Sequence, residues 1–260
     1  MATYRLTITT CAPLHIGSGE PALRKGVDFV GYGGTIYVFD TARVLDYVVG
    51  DDPGLLEQVT RTANLASFLK EQDFREHPDL ALYRLRGTPG VSEVLPQIKD
   101  VYDRPYLPGS SLKGAIRTAI VDAALLASGR TIDARRLGDR DKYAAQELER
   151  DVAGRGEKPW QAPNFDLFRT LHVADSAPGE RDWLDLSNVA VWPAGERGIP
   201  LDVETVRAGV SFSAALTIDE YLFGAQAGRL GFGPKRGLID NLAATCRAHA
   251  RARIAGEQEF

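Results

Sequence analysis

The chain has 260 residues, of which 44% are hydrophobic and 25% are charged. This composition excludes a disordered tail, and the length allows one large domain or two small ones. The formal net charge of -4 excludes a protein that is basic over its whole surface, but it allows a local cationic groove.

The cysteines and the hydropathy pattern indicate the compartment. Cys11 and Cys246 are far apart in the sequence and lack the spacing of metal ligands. We find neither a signal peptide nor an apolar run of membrane-spanning length. We therefore expect a reduced, cytoplasmic protein with no membrane partner.

The chain begins with a predicted strand, in which Tyr4–Thr10 alternate between apolar and polar side chains. A turn containing Gly17, Ser18 and Gly19 follows, and its successive N–H groups could bind an anion. The alternative is an ordinary loop. Two apolar runs, 27–30 and 35–40, then flank Gly31–Gly34 and predict a β-hairpin.

A helical pattern replaces the strand pattern after Asp40 and continues to Leu69. Short helices are therefore expected beside the sheet. The next segment is mixed, with strands predicted at Leu82–Leu85 and Glu93–Ile98.

The stretch Tyr106–Leu126, YLPGSSLKGAIRTAIVDAALL, is the most informative segment. Ser110 or Ser111 is a natural N-cap, and apolar residues follow at helical spacing. Lys113 and Arg117 stand four residues apart on the other face, near the positive end of the helix dipole, which suits a phosphate. The alternative is an ordinary capped amphipathic helix with solvated cations.

Charged residues dominate 128–163, where a polar helix is predicted over Asp141–Val152. We interpret this segment as a solvated surface insertion. In the alternative, its arginines line a nucleic-acid path. Hydrophobicity returns at Phe165–Ser176, which predicts a strand that rejoins the sheet.

The last third predicts a projecting hairpin with Arg197 at its tip. A glycine cluster over Gly228–Gly237 then carries Lys235 and Arg236 ahead of a helix that begins near Leu238. This repeats the combination of glycines and cations seen around Lys113, and its alternative is an ordinary loop.

Four segments, in this order, resemble the RAMP superfamily of CRISPR type III effector subunits: PLHIGSGE, YLPGSSLKGAIRTAI, FDLFRTLHVADS and LDVETVRAGVSFSAALTID. PGSSLKGAIRT is the most specific of these motifs. LFRTLHVADS and ETVRAG are most similar to the subunit at the CRISPR RNA (crRNA) 3′ end of the Csm (type III-A) complex.

The resemblance implies an α+β class with a ferredoxin-like, RRM-like RAMP fold, helical insertions and a projecting β-hairpin. One RAMP domain would span 1–260, with its insertion at about 128–163. The family normally continues beyond the last helix into further strands, so a second module is expected to be incomplete at the C-terminus.

The resemblance also implies a binding role in antiviral defence. Such a subunit caps the filament of backbone subunits at the guide's 3′ end and supports crRNA maturation. The implied partners are crRNA and the other RAMP subunits, with target RNA and trimming nucleases as further candidates. The expected contacts with the guide backbone are His15, Gly17, Ser18, Gly19, Gly109, Ser110, Ser111, Lys113 and Arg117, and the residue pattern adds Arg197, Lys235 and Arg236.

Three alternatives stay open. A backbone RAMP subunit would cleave target RNA with a metal such as Mg²⁺, using Asp28. A metal-independent endonuclease would use His15 as general base and Lys113 to stabilise the phosphate. A third role is purely protein bridging.

Other catalytic signatures are missing from the sequence. The four histidines show no zinc-site spacing, and there is no GxxxxGK[ST] motif for nucleotide hydrolysis. We therefore expect binding rather than catalysis, with no cofactor unless the metal-dependent alternative holds.

Overall fold

The structure is a computed structural model of the chain, and it describes residues 1–50, 52–62, 64–129, 146–154, 162–191 and 198–259. The chain divides into two compact units. We call Thr7–Leu107 with Ala177–Ser213 the strand unit, and Met1–Leu6, Pro108–Ser176 and Ala214–Phe260 the helical unit. The predicted α+β class is confirmed.

The strands of the described chain are β1 (Ala2–Thr9), β2 (Leu23–Arg24), β3 (Phe29–Tyr32), β4 (Thr35–Phe39), β5 (Ala81–Arg86), β6 (Glu93–Leu95), β7 (Leu171–Val173), β8 (Leu184–Val191), β9 (Ile199–Val206) and β10 (Ser211–Ile218). Seven of them form one mixed sheet in the order β2-β6-β9-β8-β5-β4-β3. The antiparallel pair β8 and β9 lies at its centre, with parallel neighbours β5 and β6.

The β8–β9 pair is the hairpin predicted from the sequence. Its register runs from Leu184 opposite Val206 to Val191 opposite Ile199. The predicted tip residue, Arg197, lies outside the described residues.

The helices of the strand unit follow β4 directly. They are α1 (Thr41–Val49), α2 (Pro53–Thr62) and α3 (Glu71–Glu76), with 3-10 turns at Leu65–Phe68 and Pro78–Leu80. The Asp40 carboxylate caps α1 by accepting from the N–H groups of Ala42 and Arg43. These elements pack around a buried apolar cluster: Val30, Tyr37, Phe39, Val44, Leu65, Leu69, Phe74 and Leu80.

The first hairpin differs in detail from its prediction. Gly31 belongs to β3, and the connection is only Gly33-Gly34, with φ of 54° and 81°. Two residues of positive φ make the tight turn that matches strand twist, and this turn favours glycine. The turn is therefore shorter than the glycine run that suggested it.

Strand β6 ends at Leu95 rather than continuing to Ile98. Pro96 has no N–H to donate, and the Gln97 N–H donates to the Glu204 carboxylate at 2.9 Å instead of to a neighbouring strand. Gln97 keeps only an isolated bridge with Gly17.

The helical unit contains most of the three-stranded sheet β1-β10-β7. Its α-helices in the described chain are α4 (Gly109–Ala127), α5 (Gln146–Ala153), α6 (Arg236–Asp240) and α7 (Leu242–Glu259). Their shared core consists of Ile120, Val121, Ala153, Leu167, Phe168, Leu171, Leu216, Ile218, Phe232 and Ile239. Helix α4 contributes Ile120 and Val121 to this core, whereas Leu126 near its C-terminal end is exposed.

The strand predicted within 165–176 is confirmed as β7, Leu171–Val173. A 3-10 turn precedes it and starts where the Asp166 carboxylate accepts from the Phe168 N–H at 2.9 Å. The helix expected from Leu238 is two helices, α6 and α7. The predicted polar helix is α5, and positions 141–145 lie outside the described residues.

Candidate nucleic-acid interface

Helix α4 begins at Gly109, immediately after Pro108, and not at a serine. The Gly109 N–H donates to the Asp175 carboxylate at 2.7 Å, so a side chain from a distant segment takes the capping role. The predicted Ser110 or Ser111 N-cap is therefore wrong. A carboxylate already lies at the end of the helix that the sequence assigned to a phosphate.

The close packing of α4 against β7 requires a glycine at position 109, and the backbone flexibility of glycine is not the reason. A Cβ at this position would lie 2.2 Å from the carbonyl oxygen of Val173 in β7. No side chain fits there, because both partners are backbone. The glycine of the PGSS motif thus lets the start of α4 rest directly against the sheet.

The next residues of α4 have small side chains on one exposed side of the helix. Ser110, Ser111 and Gly114 are all exposed, and a Cβ at Gly114 would meet no heavy atom within 4 Å. We call these three residues the open face of α4. A sugar-phosphate chain could approach the helix closely here.

The two cations of α4 are engaged by the protein. The Lys113 ammonium donates to the carbonyl oxygen of Leu171 at 2.8 Å. Burial lowers the pKa of Lys113, Asp166 opposes that effect, and Arg117 adds to it. The Arg117 guanidinium pairs with Asp166 at 2.7 Å and Glu149 at 2.8 Å, and it lies over the Phe168 ring.

The cations of the second glycine-rich segment, Lys235 and Arg236, are also engaged by protein groups. The Lys235 ammonium donates to the carbonyl oxygens of Val152 and Gly154, which caps the C-terminal end of α5. Burial lowers the pKa of Lys235, and Asp151 opposes that effect. Arg236 pairs with Glu220 at 2.5 Å and with Asp240 at 3.3 Å.

The structure therefore differs from the expected open cationic face. Lys113, Arg117, Lys235 and Arg236 each already have a protein acceptor. The group of Arg117 with its two carboxylates is formally negative, which disfavours a phosphate at that point. Contact of these four residues with RNA stays a prediction.

The predicted loop 15–19 belongs to the strand unit. His15 Nδ1 lies 2.7 Å from the carbonyl oxygen of Glu204, and the Ser18 N–H donates to the carbonyl of Pro96. Gly19 has a φ of 79°. Within the described chain, the N–H groups of Gly17 and Gly19 have no hydrogen bond to protein and could meet an anion.

A buried polar cluster that the sequence analysis missed holds this loop. The Glu204 carboxylate is fully buried and accepts from Lys99, from the Tyr83 hydroxyl at 2.6 Å and from the Gln97 N–H. The Gln97 side chain in turn accepts from the Ile16 N–H at 2.7 Å. Burial, reinforced by Glu204, raises the pKa of Tyr83.

A signal for this cluster exists in the sequence. Asp202 and Glu204 are acidic residues two positions apart in the strand sequence LDVETV, between the apolar residues Leu201, Val203 and Val206, and acids in a buried strand require partners. The side-chain partners of Glu204 are 105 to 121 residues away along the chain, beyond any local pattern.

Asp28 has a structural role in this unit. Its carboxylate accepts from the Arg24 N–H at 2.8 Å and lies 3.8 Å from the Arg24 guanidinium. Among the described residues, no group of three histidine, cysteine or acidic side chains could hold a metal ion. The arrangement around Asp28 does not fit a Mg²⁺ site, and we derive no metal-dependent step from it.

The sequence predicts reduced cysteines and no membrane-spanning helix. Cys11 is exposed and Cys246 is half-buried, and both are free thiols. In the described part of the chain, no helix combines the length and the apolar character needed to cross a bilayer.

The sequence model of the RAMP superfamily matches residues 7–239. The chain belongs to the RAMP superfamily. This match extends through both compact units and includes all four motifs quoted above.

This RAMP chain is similar to proteins named CRISPR system Cms protein Csm5. It is 26% identical over 255 residues to the one from Streptococcus thermophilus, covering 88% of this chain and 66% of that protein. It is 28% identical over 177 residues to the one from Mycobacterium tuberculosis, covering 64% and 45%. The chain spans about two thirds or less of the length of these curated relatives.

Solved structures also show that the chain is similar to Csm proteins. The crystal structure of T. onnurineus Csm5 superposes with a TM-score of 0.72 at 24% identity, covering 97% of this chain and 80% of that chain, which shows a shared fold. A chain of the cryo-EM Csm-crRNA-target RNA ternary complex of a type III-A CRISPR-Cas system gives a TM-score of 0.61 at 27% identity, covering 85% and 65%. The predicted RAMP fold and the resemblance to a Csm subunit are confirmed.

Proposed function

We propose that this RAMP protein is a crRNA-binding structural subunit of a type III-A CRISPR-Cas effector complex. It caps the filament at the crRNA 3′ end and supports crRNA maturation in the cytoplasm. The observation that carries the proposal is the 27% identity, with a TM-score of 0.61, to a chain of a Csm-crRNA-target RNA complex. Its partners would be crRNA, the other RAMP subunits, target RNA and trimming nucleases.

The geometry favours a close approach of the RNA backbone over a grip by free cations. The nearby cations are held by protein acceptors, whereas the open face of α4 offers two exposed hydroxyls and a helix surface without a Cβ. Hydroxyl and backbone N–H groups are common phosphate and sugar ligands, and they carry no sequence preference. Such contacts suit a guide whose spacer varies.

The glycine turn of the strand unit provides a second contact of the same kind. Gly17 and Gly19 are exposed, and the neighbouring backbone is held in place, because the Ile16 N–H donates to the Gln97 side chain and the Ser18 N–H donates to the Pro96 carbonyl. A turn fixed before binding loses little conformational freedom when it meets an anion.

The test places an acid on the open face of α4. Gly114→Glu adds bulk and negative charge at an exposed helical position, so we expect retention of repeat-derived RNA to fall about tenfold while the fold stays intact. Copurified RNA is quantified from the full chain expressed with the other proteins of its operon. Circular dichroism reports the fold.

Gly256→Glu is the matched control, because Gly256 is also an exposed helical glycine, and a Cβ added there would meet no heavy atom within 4 Å. We expect it to retain RNA like the parent chain. Equal retention by the Gly114→Glu and Gly256→Glu variants would contradict contact at the open face.

We further propose that this chain binds RNA without cleaving it, because Asp28 is engaged by Arg24. Purified chain is incubated with labelled RNA, with and without Mg²⁺ or Mn²⁺. Intact RNA is the expected result. Cleavage that Asp28→Ala or His15→Ala abolishes would restore one of the nuclease alternatives.

A further inference from the structure

The turn Asp100–Arg104 of the strand unit presents two neighbouring apolar side chains to solvent. Val101 is 91% exposed and Tyr102 is 62% exposed. Single exposed apolar residues are ordinary on protein surfaces, but an aromatic and an aliphatic side chain exposed side by side on one ordered turn suit a binding contact.

This turn is held in one conformation by its own polar groups. The Asp100 carboxylate accepts from the N–H groups of Tyr102 at 2.9 Å and Arg104 at 3.0 Å, and from the Arg104 guanidinium at 2.7 Å. Asp103 has a φ of 58°, and it is the one non-glycine residue of the described chain in the left-handed region. The apolar pair is thus exposed on a rigid support.

A side chain from a distant segment fixes the turn to the sheet. The Arg181 guanidinium donates to the carbonyl oxygens of Tyr102 at 2.7 Å and Leu82 at 3.0 Å. The Arg104 guanidinium lies 5.2 Å from the centre of the Tyr102 ring and orients it. Because the turn is already ordered, a partner that binds it loses little conformational entropy.

The charges around the turn select the kind of partner. A cleft beside it is lined by Tyr102, Arg104, Glu180, Arg181 and Asp182. Four carboxylates, Asp100, Asp103, Glu180 and Asp182, outnumber the three cations around the cleft, Arg104, Arg181 and Arg207. All three guanidinium groups already contact protein acceptors, and that of Arg207 lies 3.8 Å from the Asp182 carboxylate. A phosphate chain would meet excess negative charge, whereas a protein face with a basic border would be attracted.

We propose that the turn Asp100–Arg104 docks a neighbouring protein subunit of the effector complex, a step that rests on the proposed function. The partner's face would carry an apolar socket bordered by lysine or arginine. Val101 and Tyr102 fill the socket, and Glu180 and Asp182 meet its basic border.

The test uses the full chain expressed with the other proteins of its own type III-A operon. The double variant Val101→Ser with Tyr102→Ser is expected to reduce retention of the chain in the purified complex about tenfold. Tyr221→Ser is the matched control, because Tyr221 is 64% exposed in the helical unit. We expect it to be retained like the parent chain.

A photocrosslinking amino acid at position 102 identifies what covers the turn. We expect it to capture a protein subunit. Capture of RNA, or equal retention of the double variant and the Tyr221→Ser control, would overturn the docking assignment while leaving the proposed function intact. A parent chain that copurifies with neither crRNA nor operon proteins would overturn both.

Discussion

Two glycines of α4 serve opposite purposes although they are only five positions apart. At Gly109 the backbone of β7 occupies the space of a side chain, with a Cβ placed 2.2 Å from the Val173 carbonyl oxygen. At Gly114 the same space is open. The first glycine is therefore required by the fold, whereas the fold alone gives no reason for the second.

These surroundings predict opposite effects on stability. Gly109→Ala should lower the free energy of unfolding by about 3 kcal/mol, because a backbone clash cannot relax by side-chain rotation. Gly114→Ala should raise it by about 1 kcal/mol, because alanine restricts the unfolded chain and favours helix. Urea unfolding of the two variants measures both changes. A Gly109→Ala variant with an unchanged free energy of unfolding would show that α4 does not pack on β7 as described.

At the scale of single elements, side-chain acids fix the ends of helices and turns. Asp175 accepts from the first N–H of α4, Asp40 caps α1, and Asp100 organises the turn that ends at Arg104. Each carboxylate accepts a hydrogen bond from an N–H group that has no backbone acceptor, because it lies at a helix end or in a turn.

The turn Asp100–Arg104 should weaken in acid. Hydrogen bonds from the Arg104 side chain, joined by the N–H groups of Arg104 and Tyr102, lower the pKa of Asp100 below its ordinary value of 3.8, although burial opposes this. A lowered carboxyl pKa stabilises the fold above the ordinary value, and this contribution is lost as the pH falls through the folded-state pKa.

This loss can be followed at two amides. The amide proton shifts of Tyr102 and Arg104 should titrate together, with a midpoint below the ordinary carboxyl value of 3.8, and Asp100→Asn should abolish the transition. A midpoint at or above that value would contradict the ion pair with Arg104.

Over the whole molecule, the net charge and the engaged motif cations bear on the proposed RNA binding. The net charge is -4, and the cations that the motifs bring to α4 and α6 are held by carboxylates and carbonyl oxygens. We therefore expect long-range attraction to RNA to be weak, and the proposed binding would depend on close contacts made where the guide is already positioned.

The isolated chain should accordingly bind single-stranded RNA weakly. We expect a Kd above about 1 μM at roughly 150 mM salt, in the range of non-specific binding. Filter binding measures it, and the assembled complex, which should keep its crRNA through purification, is the comparison. Submicromolar binding by the chain alone would contradict this account.

The sequence by itself determined the class of the fold and the family. Alternation identified β1, β8 and β9, helical spacing identified α4, and the RAMP motifs appear in order along the chain. These features can be recognised locally, because strand and helix periods are set by neighbouring residues.

Only the tertiary structure decided what the motif residues contact. Arg117 pairs with Asp166 and Glu149, and Gly109 meets β7 and Asp175, across separations of 32 to 66 residues. No local period encodes such pairs, because they form when separate elements pack together. A cation that looks free in the sequence therefore proves to be neutralised within the fold.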